Sequence, residues 1–146
     1  MTFKIRALAA GDRQRWEPLW QGYLSFYKSS LPDVVSDETF RRLVAPGGDL
    51  FGAAAVGDDG RFGGIVHWLF HATTWAMAPT CYLQDLYVVP ETRGQGLGAA
   101  LINHVYAAAD ERGAAEVYWH TQEFNATARR LYDRIGRLTP FIQYRR

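Results

Sequence analysis

The sequence predicts a single α+β domain, spanning residues 1–146, in which a central, mostly antiparallel sheet is flanked by about four helices. The length of 146 residues suits one domain with one hydrophobic core. Between Asp49 and Val89 lie three apolar, aromatic-rich runs separated by turn sequences, the pattern of an antiparallel meander. On both sides of this meander, apolar residues recur at three- and four-residue spacing, which indicates helices.

A strand and two helices are expected before the meander. Residues 3–7 alternate apolar with charged side chains, as in a half-buried strand. From Asp12 onward the apolar spacing is helical, and Pro18 is expected to kink that helix or delay its start. Ser36 is expected to cap a second, short helix that ends at the Pro-Gly-Gly sequence of residues 46–48.

Two further helices and two strands are expected after the meander. A long apolar-striped helix should stop near Gly113, as glycine often ends a helix. A strand is predicted from Ala115 to Thr121. Asn125 should then cap a last helix ending at Gly136, followed by a final strand around Phe141 to Tyr144.

The composition of the sequence argues against several classes of protein. Sixteen Lys and Arg balance fifteen Asp and Glu, so no strong field indicates a nucleic-acid or membrane partner. The single Cys81 forms no disulfide or thiolate cluster within one subunit, which is typical of a reducing cytoplasm. No secretory signal or membrane-length apolar run is found, and the histidines lack metal-ligand spacing. A cytoplasmic protein without a metal is therefore expected.

The segment from Asp85 to Gly98 is the most informative part of the chain: an apolar strand, a proline turn and a glycine-rich entry into a helix. Amides at a helix N-terminus lack intrahelical partners, the macrodipole is positive there, and glycines let a ligand approach the backbone. Arg93 adds a cation whose planar fork suits phosphate. The alternative is a tight turn with a solvated Arg93, but the order of the whole segment is more specific than any of its parts.

Two sequence patterns resemble the GNAT superfamily of N-acetyltransferases. Val88 to Gly98 resembles its acetyl-CoA motif, Val-x-Pro-x-x-Arg-Gly-x-Gly-Leu/Ile-Gly, and Asn125 to Gly136 resembles its Asn-x-x-Ala-x-x-Leu-Tyr-x-x-x-Gly helix. The sequences of these motifs are most similar to those of the histone-acetyltransferase-like and polyamine-acetyltransferase-like branches. The resemblance implies a mixed, twisted sheet with a splayed strand pair, acetyl-CoA as cosubstrate, and a homodimer.

The resemblance also implies where acetyl-CoA binds. The strand ending at Val88 would part from the following strand and leave a slot for pantetheine, which the backbone of Leu86 and Val88 would contact. Amides from Arg93 to Gly98 would hold the pyrophosphate, and Asn125 would touch the pantetheine arm while capping its helix. Arg129 or Arg130 would reach a phosphate or remain a solvated charge. The expected cofactor-binding residues are Leu86, Tyr87, Val88, Arg93, Gly94, Gln95, Gly96, Leu97, Gly98, Asn125, Ala128 and Arg129.

Catalysis requires a deprotonated amine, and a lysine-like amine of pKa about 10.4 costs roughly 4 to 5 kcal/mol to deprotonate at pH 7. The resemblance gives Tyr132 the role of acid for the leaving thiolate, although a core position is its alternative. Where the polyamine branch has a Glu, this chain has Gln84, which cannot accept a proton. The candidate bases are therefore Asp85, His120, Glu123 and a water held by Gln84.

The acceptor is expected to be a primary amine, whether a small molecule, a polyamine or a lysine-like group. The family takes its acceptor specificity from the first helices and a neighbouring strand, so the predicted contacts are Tyr23, Tyr27 and Trp68.

Two other functions compete with this prediction. Residues 94–99 also fit Gly-x-Gly-x-x-Ala, with Glu116 as a possible ribose-binding acid, but residues 90–93 separate strand from glycines and disfavour a dinucleotide oxidoreductase. A non-catalytic acyl-CoA-binding module is the second alternative, and Gln84 permits it.

Overall fold

Five strands and four helices make up the chain, which a computed structural model describes from residue 1 to residue 146. In chain order they are β1 (Phe3–Ala7), α1 (Arg13–Phe26), α2 (Asp33–Val44), β2 (Leu50–Gly57), β3 (Phe62–His71), β4 (Thr80–Val88), α3 (Leu97–Arg112), β5 (Val117–Tyr118) and α4 (Ala126–Ile135). No helix combines the length and the apolar character that crossing a membrane requires.

The strands form one sheet in the order β1-β2-β3-β4-β5. The first four pair antiparallel, whereas β4 and β5 pair parallel. Both the meander and the mixed, mostly antiparallel sheet are therefore confirmed.

Helices cover both faces of this sheet, because side chains of successive strand residues point to opposite faces. On one face Ile65 of β3 packs with the aromatic residues of α1 and with α2. On the other face Val66 and Trp68 pack against α3, whose Leu101, Ile102 and Val105 are fully buried, and α4 lies against this second layer.

One expectation about the first helices is wrong, and one of the two alternatives for Pro18 is excluded. The second helix begins at Asp33, directly after Pro32, and not at Ser36. Ser36 lies inside α2, buried, where its Oγ accepts a hydrogen bond of 3.0 Å from Trp20 Nε1. Pro18 does not delay α1, which starts at Arg13 and runs through the proline. Burial of the aromatic face of α1 outweighs the one backbone hydrogen bond that Pro18 removes.

The predicted strands after α3 are shorter or missing. The strand expected from Ala115 to Thr121 pairs only at Val117 and Tyr118. No strand forms around Phe141 to Tyr144, where the side chains are exposed. A two-residue strand offers too short an edge to pair with a further strand of this chain, although the local sequence favours one.

Candidate active site

A β-bulge shapes β4 at the centre of the candidate site. His67 of β3 lies opposite Asp85, and the next residue, Trp68, lies opposite Leu83, so Gln84 is an extra residue in β4. A bulge bends its strand and increases the local twist. Gln84, which replaces the expected base, is thus the residue at which β4 changes direction.

Beyond the bulge, β4 and β5 part. Their only paired residues are Cys81 with Val117 and Tyr82 with Tyr118, which confirms the splayed strand pair. The Val89 amide donates to the Gly63 carbonyl of β3 at 3.0 Å. Because backbone groups alternate between the two edges of a strand, the amides of Leu86 and Val88 face the open edge. An extended ligand has two backbone donors available there.

One backbone group at this edge is already occupied. Arg93 Nε donates to the Val88 carbonyl at 3.1 Å, so this carbonyl has an internal partner. The Tyr87 ring packs on α1, where a Cβ added to Gly22 would lie 2.6 Å from its hydroxyl. The Arg93 guanidinium carbon lies 5.9 Å from the centroid of this ring.

The glycine-rich loop presents a row of free amides at the N-terminus of α3. The first hydrogen bond of this end runs from the Ala100 amide to the Gly96 carbonyl at 3.0 Å, and none of the amides of residues 94–99 donates to a protein acceptor. Gly94 and Gly96 adopt left-handed conformations, with φ of 80° and 79°. Arg93 differs from the expectation, because its amide already donates to the Pro90 carbonyl at 3.3 Å. Six consecutive amides are thus without a protein acceptor, an arrangement of the kind that binds anions at helix N-termini.

The positions in this row are not equivalent. A Cβ on Gly94 or Gly96 would meet nothing within 4 Å, so the space in front of them is open. A Cβ on Gly98 would lie 3.0 Å from Leu131 of α4, so glycine there permits close helix packing. Gln95 is exposed, whereas the Leu97 side chain is part of the core and only its backbone is available.

Residues of α4 close the far side of the gap. Asn125 Oδ1 accepts from the Ala128 amide at 3.4 Å, which confirms that Asn125 caps α4. Arg129 Nη1 donates to the Glu123 carbonyl at 2.7 Å, so the structure holds this guanidinium against its own loop.

A small cavity at the open end of the gap brings together most of the predicted catalytic and acceptor residues. Its volume is about 20 Å³, which is room for roughly one water molecule. It is lined by Tyr23, Tyr27, Leu83, Gln84, Leu86, Trp119, His120 and Tyr132. Three elements that are distant in sequence, α1, β4 and α4, therefore meet at one point.

Tyr132 lies in this cavity as a protonated phenol. Burial, and secondarily the neighbouring Tyr27, raises the pKa of Tyr132 to about 12. Its ring packs edge-on against Trp119 at a centroid distance of 5.5 Å. The hydroxyl forms no hydrogen bond within the protein, so it is available to a ligand.

His120 lies at the exposed rim of the same cavity. Its Nδ1 is 3.2 Å from the Tyr82 hydroxyl, and its side chain is accessible to water. Glu123, the other acidic candidate, is exposed and does not line the cavity.

Asp85 is held by two buried residues that the sequence did not indicate. Asp85 Oδ2 lies 2.9 Å from His67 Nδ1, and His67 Nε2 accepts a hydrogen bond of 3.0 Å from Trp16 Nε1. Burial, followed by the Asp85 charge, raises the pKa of Tyr23 and of Tyr27, so the carboxylate lies near both cavity phenols. No sequence signal identifies His67, because register alone sets it opposite Asp85.

Trp68 does not belong to this site, and its predicted contact with the acceptor is wrong. It lies on the α3 face of the sheet, with its ring edge-on to His104 at 5.7 Å. There it lines a separate cleft of about 440 Å³ with Phe51, Phe70 and the end of α3. Tyr23 and Tyr27 lie on the α1 face of the sheet, to which His67 also points. Trp68 follows His67 in β3 and points to the opposite face, because successive strand residues alternate between faces.

Comparison with known proteins gives consistent relatives. Residues 15–136 match the acetyltransferase (GNAT) family. The D-amino-acid N-acetyltransferase HPA3 of Saccharomyces cerevisiae is 36% identical over 143 residues, which cover 97% of this chain and 89% of that protein. The thialysine N-epsilon-acetyltransferase of Bos taurus is 35% identical over 69 residues, which cover 47% of this chain and 40% of that protein.

Two solved structures have the same fold. AAC(6')-Iy, in complex with the bisubstrate analogue CoA-S-monomethyl-acetylneamine, gives a TM-score of 0.84 at 18% identity, covering 100% of this chain and 99% of that one. The ribosomal-protein-alanine N-acetyltransferase from Brucella melitensis gives 0.81 at 21% identity, covering 99% and 97%.

Proposed function

The chain belongs to the acetyltransferase (GNAT) family and is an N-acetyltransferase of amines, and from this we propose that it transfers acetyl from acetyl-CoA to a primary amine by direct attack in a ternary complex. One observation carries the proposal. Six free amides at the N-terminus of α3 lie beside the gap between β4 and β5. Together they offer an anion site and an extended slot of the kind that a diphosphate and its pantetheine arm require.

The residues present fit acetyl-CoA. Amides of residues 94–99 would hold the diphosphate, and the open-edge amides of Leu86 and Val88 would meet the pantetheine arm. Asn125 would contact the arm from the α4 side through the second N–H of its side-chain amide, since the first donates to Thr121 Oγ1 at 3.4 Å. The Val88 amide is also the donor we assign to the carbonyl oxygen that gains charge during attack.

Tyr132 and His120 would divide the proton transfers. Tyr132, protonated at neutral pH, donates to the leaving sulfur. Gln84 cannot accept a proton, but its amide and His120 both line the cavity that has room for about one water. We therefore assign the removal of the amine proton to His120, acting through that water.

The charge of the cavity favours an acceptor with more than one cationic group. None of its lining residues is Lys or Arg, and the charge of Asp85 acts on two of its lining phenols, Tyr23 and Tyr27. A carboxylate stabilises an ammonium that must stay charged and repels the carboxylate of an amino acid. Polyamines without a carboxylate, such as spermidine, are thus better acceptors by this argument than amino acids, including the D-amino acids that the name of the yeast relative indicates.

The test is thiol release from acetyl-CoA in the presence of spermidine, thialysine, a lysine peptide and a D-amino acid. We expect turnover with spermidine at the highest kcat/KM. Acetyl-CoA binding measured by calorimetry, without thiol release on any amine, would instead identify a non-catalytic module. Binding of NADH but not of acetyl-CoA would favour an oxidoreductase.

A homodimer is part of the proposal. The C-terminal segment leaves four large apolar side chains exposed, which a second copy would cover. They are Leu138, Phe141, Ile142 and Tyr144.

A further inference from the structure

Three buried or half-buried side chains, one each from α1, β3 and β4, form a hydrogen-bonded series. Trp16 is fully buried and His67 is 3% exposed. Trp16 Nε1 donates to His67 Nε2 at 3.0 Å, and His67 Nδ1 lies 2.9 Å from Asp85 Oδ2. This series thus ends on the Asp85 carboxylate, next to the cavity.

Trp16 determines which nitrogen of His67 carries the proton. An indole N–H can only donate, so Nε2 of His67 must be the acceptor and carries no hydrogen. In the neutral ring the proton is then on Nδ1, which donates to Asp85. A hydrogen on Nε2 would set two N–H donors face to face in a buried site, so the geometry fits the tautomer that carries its hydrogen on Nδ1.

A neutral donor fixes a carboxylate without cancelling its charge. Asp85 forms no ion pair with any Lys or Arg. Asp12 of the same protein differs in this respect. It is a buried carboxylate that pairs with Arg6 at 2.7 Å and with Arg15 at 2.5 Å. Asp12 is compensated twice, whereas the charge of Asp85 remains available to a ligand.

We propose that His67 and Trp16 are positioning residues, which hold Asp85 as a fixed and uncompensated carboxylate for a cationic group of the acceptor. This inference rests on the proposed function, since the acceptor site is the one described above. Both residues act through Asp85 and contact no substrate themselves. The groups that face the carboxylate from the surrounding elements, the phenols of Tyr23, Tyr27 and Tyr82, stay neutral, because burial raises the pKa of each.

Substitution of His67 tests the first link. His67→Leu removes the donor, and we expect the KM for spermidine to rise about 10- to 100-fold, as for loss of a hydrogen bond to a charged group. The kcat and the KM for acetyl-CoA should change less than about threefold. His67→Asn keeps an N–H near the Nδ1 position and should recover most of the loss. In an Asp85→Asn background, His67→Leu should have little further effect on the KM.

A matched pair of tryptophans tests the second link. Trp16→Phe removes the N–H that fixes the tautomer, whereas Trp20→Phe removes an equally buried N–H that donates to Ser36 at 3.0 Å. Both variants should lose similar stability in thermal unfolding. Only Trp16→Phe should raise the KM for spermidine. Equal effects of the two variants on this KM would mean that Trp16 has a packing role alone, and would overturn the proposal.

The tautomer itself is measurable without activity. Imidazole ¹⁵N chemical shifts of the wild-type protein should show one histidine as neutral Nδ1–H at pH 7, and His67→Asn should remove that signal. A neutral Nε2–H ring or an imidazolium at this position overturns the inference, whatever the enzyme assays give. If no amine supports thiol release, the proposed function fails independently of this inference. The effect of His67→Leu is then measured as the change in the calorimetric Kd for spermidine relative to wild type.

Discussion

The phenol of Tyr132 shows how one residue obtains its chemistry from its surroundings. A tyrosine on the apolar face of α4 is an ordinary core residue by pattern, but here its hydroxyl reaches the cavity that Gln84 and His120 line. Burial raises the pKa of Tyr132 to about 12, above the usual value of about 10. The raised pKa makes Tyr132 a poor base and keeps in place the proton that the proposed reaction would transfer to the leaving thiolate.

Replacing Tyr132 with phenylalanine should lower kcat by about 10²- to 10³-fold, because a positioned acid contributes rate by this order. An acid is lost as pH rises through its pKa, so a group with a pKa of about 12 gives no fall in wild-type rate between pH 7 and pH 10. Steady-state kinetics over this range measures both effects.

The control for this change is Tyr106→Phe. The Tyr106 hydroxyl donates to the Ile135 carbonyl at 2.7 Å, so its loss affects the α3–α4 contact without touching the cavity. We expect wild-type kcat for this control. A Tyr132→Phe variant with a kcat within threefold of wild type would rule out the role of acid.

At the scale of elements, the two ends of α3 use glycine for the same geometric reason and different purposes. Gly96 precedes the helix and Gly113 follows it, both in the left-handed conformation that side chains disfavour, with φ of 79° and 70°. At the C-terminus this conformation ends the helix. At the N-terminus it lies within the run of residues 94–99, whose amides have no acceptor within the protein.

This pair of glycines gives a matched prediction. Gly96→Ala and Gly113→Ala should each destabilise the fold by about 1 kcal/mol, the cost of a left-handed conformation for alanine. Only Gly96→Ala should also raise the Kd for CoA, by tenfold or more, because it disturbs the amides that would hold the diphosphate. Calorimetric titration with CoA, together with thermal unfolding, separates the two effects. Equal CoA affinity in the two variants would move the anion site away from this loop.

At the scale of the whole molecule, Asp12 connects the first strand to the first helix. It is 1% exposed, pairs with Arg6 and Arg15, and accepts a hydrogen bond of 2.8 Å from the Ala9 amide. The hydrogen bond from Arg6 is the largest cause that lowers the pKa of Asp12 to about 2. The carboxylate thus helps to position α1, which supplies Trp16 and Tyr23 to the site.

The lowered pKa predicts how stability depends on pH. A carboxyl group with a depressed pKa in the folded state stabilises fully above its unfolded pKa of about 3.8, and this contribution is lost as pH falls through about 2. Asp12→Asn should therefore cost about 2 kcal/mol of unfolding free energy at pH 7, and the difference from wild type should shrink between pH 5 and pH 2. Urea unfolding at several pH values measures it. The control is Asp37→Asn, at an exposed ion pair with Arg13, which should cost less than about 0.5 kcal/mol. A loss of stability in Asp12→Asn that does not change with pH would contradict the stabilising role of the Asp12 charge.

Local signals in the sequence determined most of the fold. The alternation of residues 3–7, the glycines that flank α3 and the Asn125 cap each depend on neighbours within one turn or one strand, so they could be identified without tertiary contacts. The row of glycines after Val88 located the loop of unpaired amides for the same reason. Where the prediction failed, as for the final strand at Phe141 to Tyr144, the local pattern was favourable but a pairing edge was missing.

Tertiary structure alone decided the details of the candidate site. The bulge at Gln84 sets Asp85 opposite His67, and the alternation of β3 then sends Trp68 to the other face of the sheet. Trp16 meets His67 across 51 positions of sequence. Such pairings depend on register and on the packing of a helix against a sheet, and a shift of one residue in register reverses every face. Sequence thus determined which loop has unpaired amides, and only the folded chain determined which carboxylate lies beside the cavity and which residues hold it.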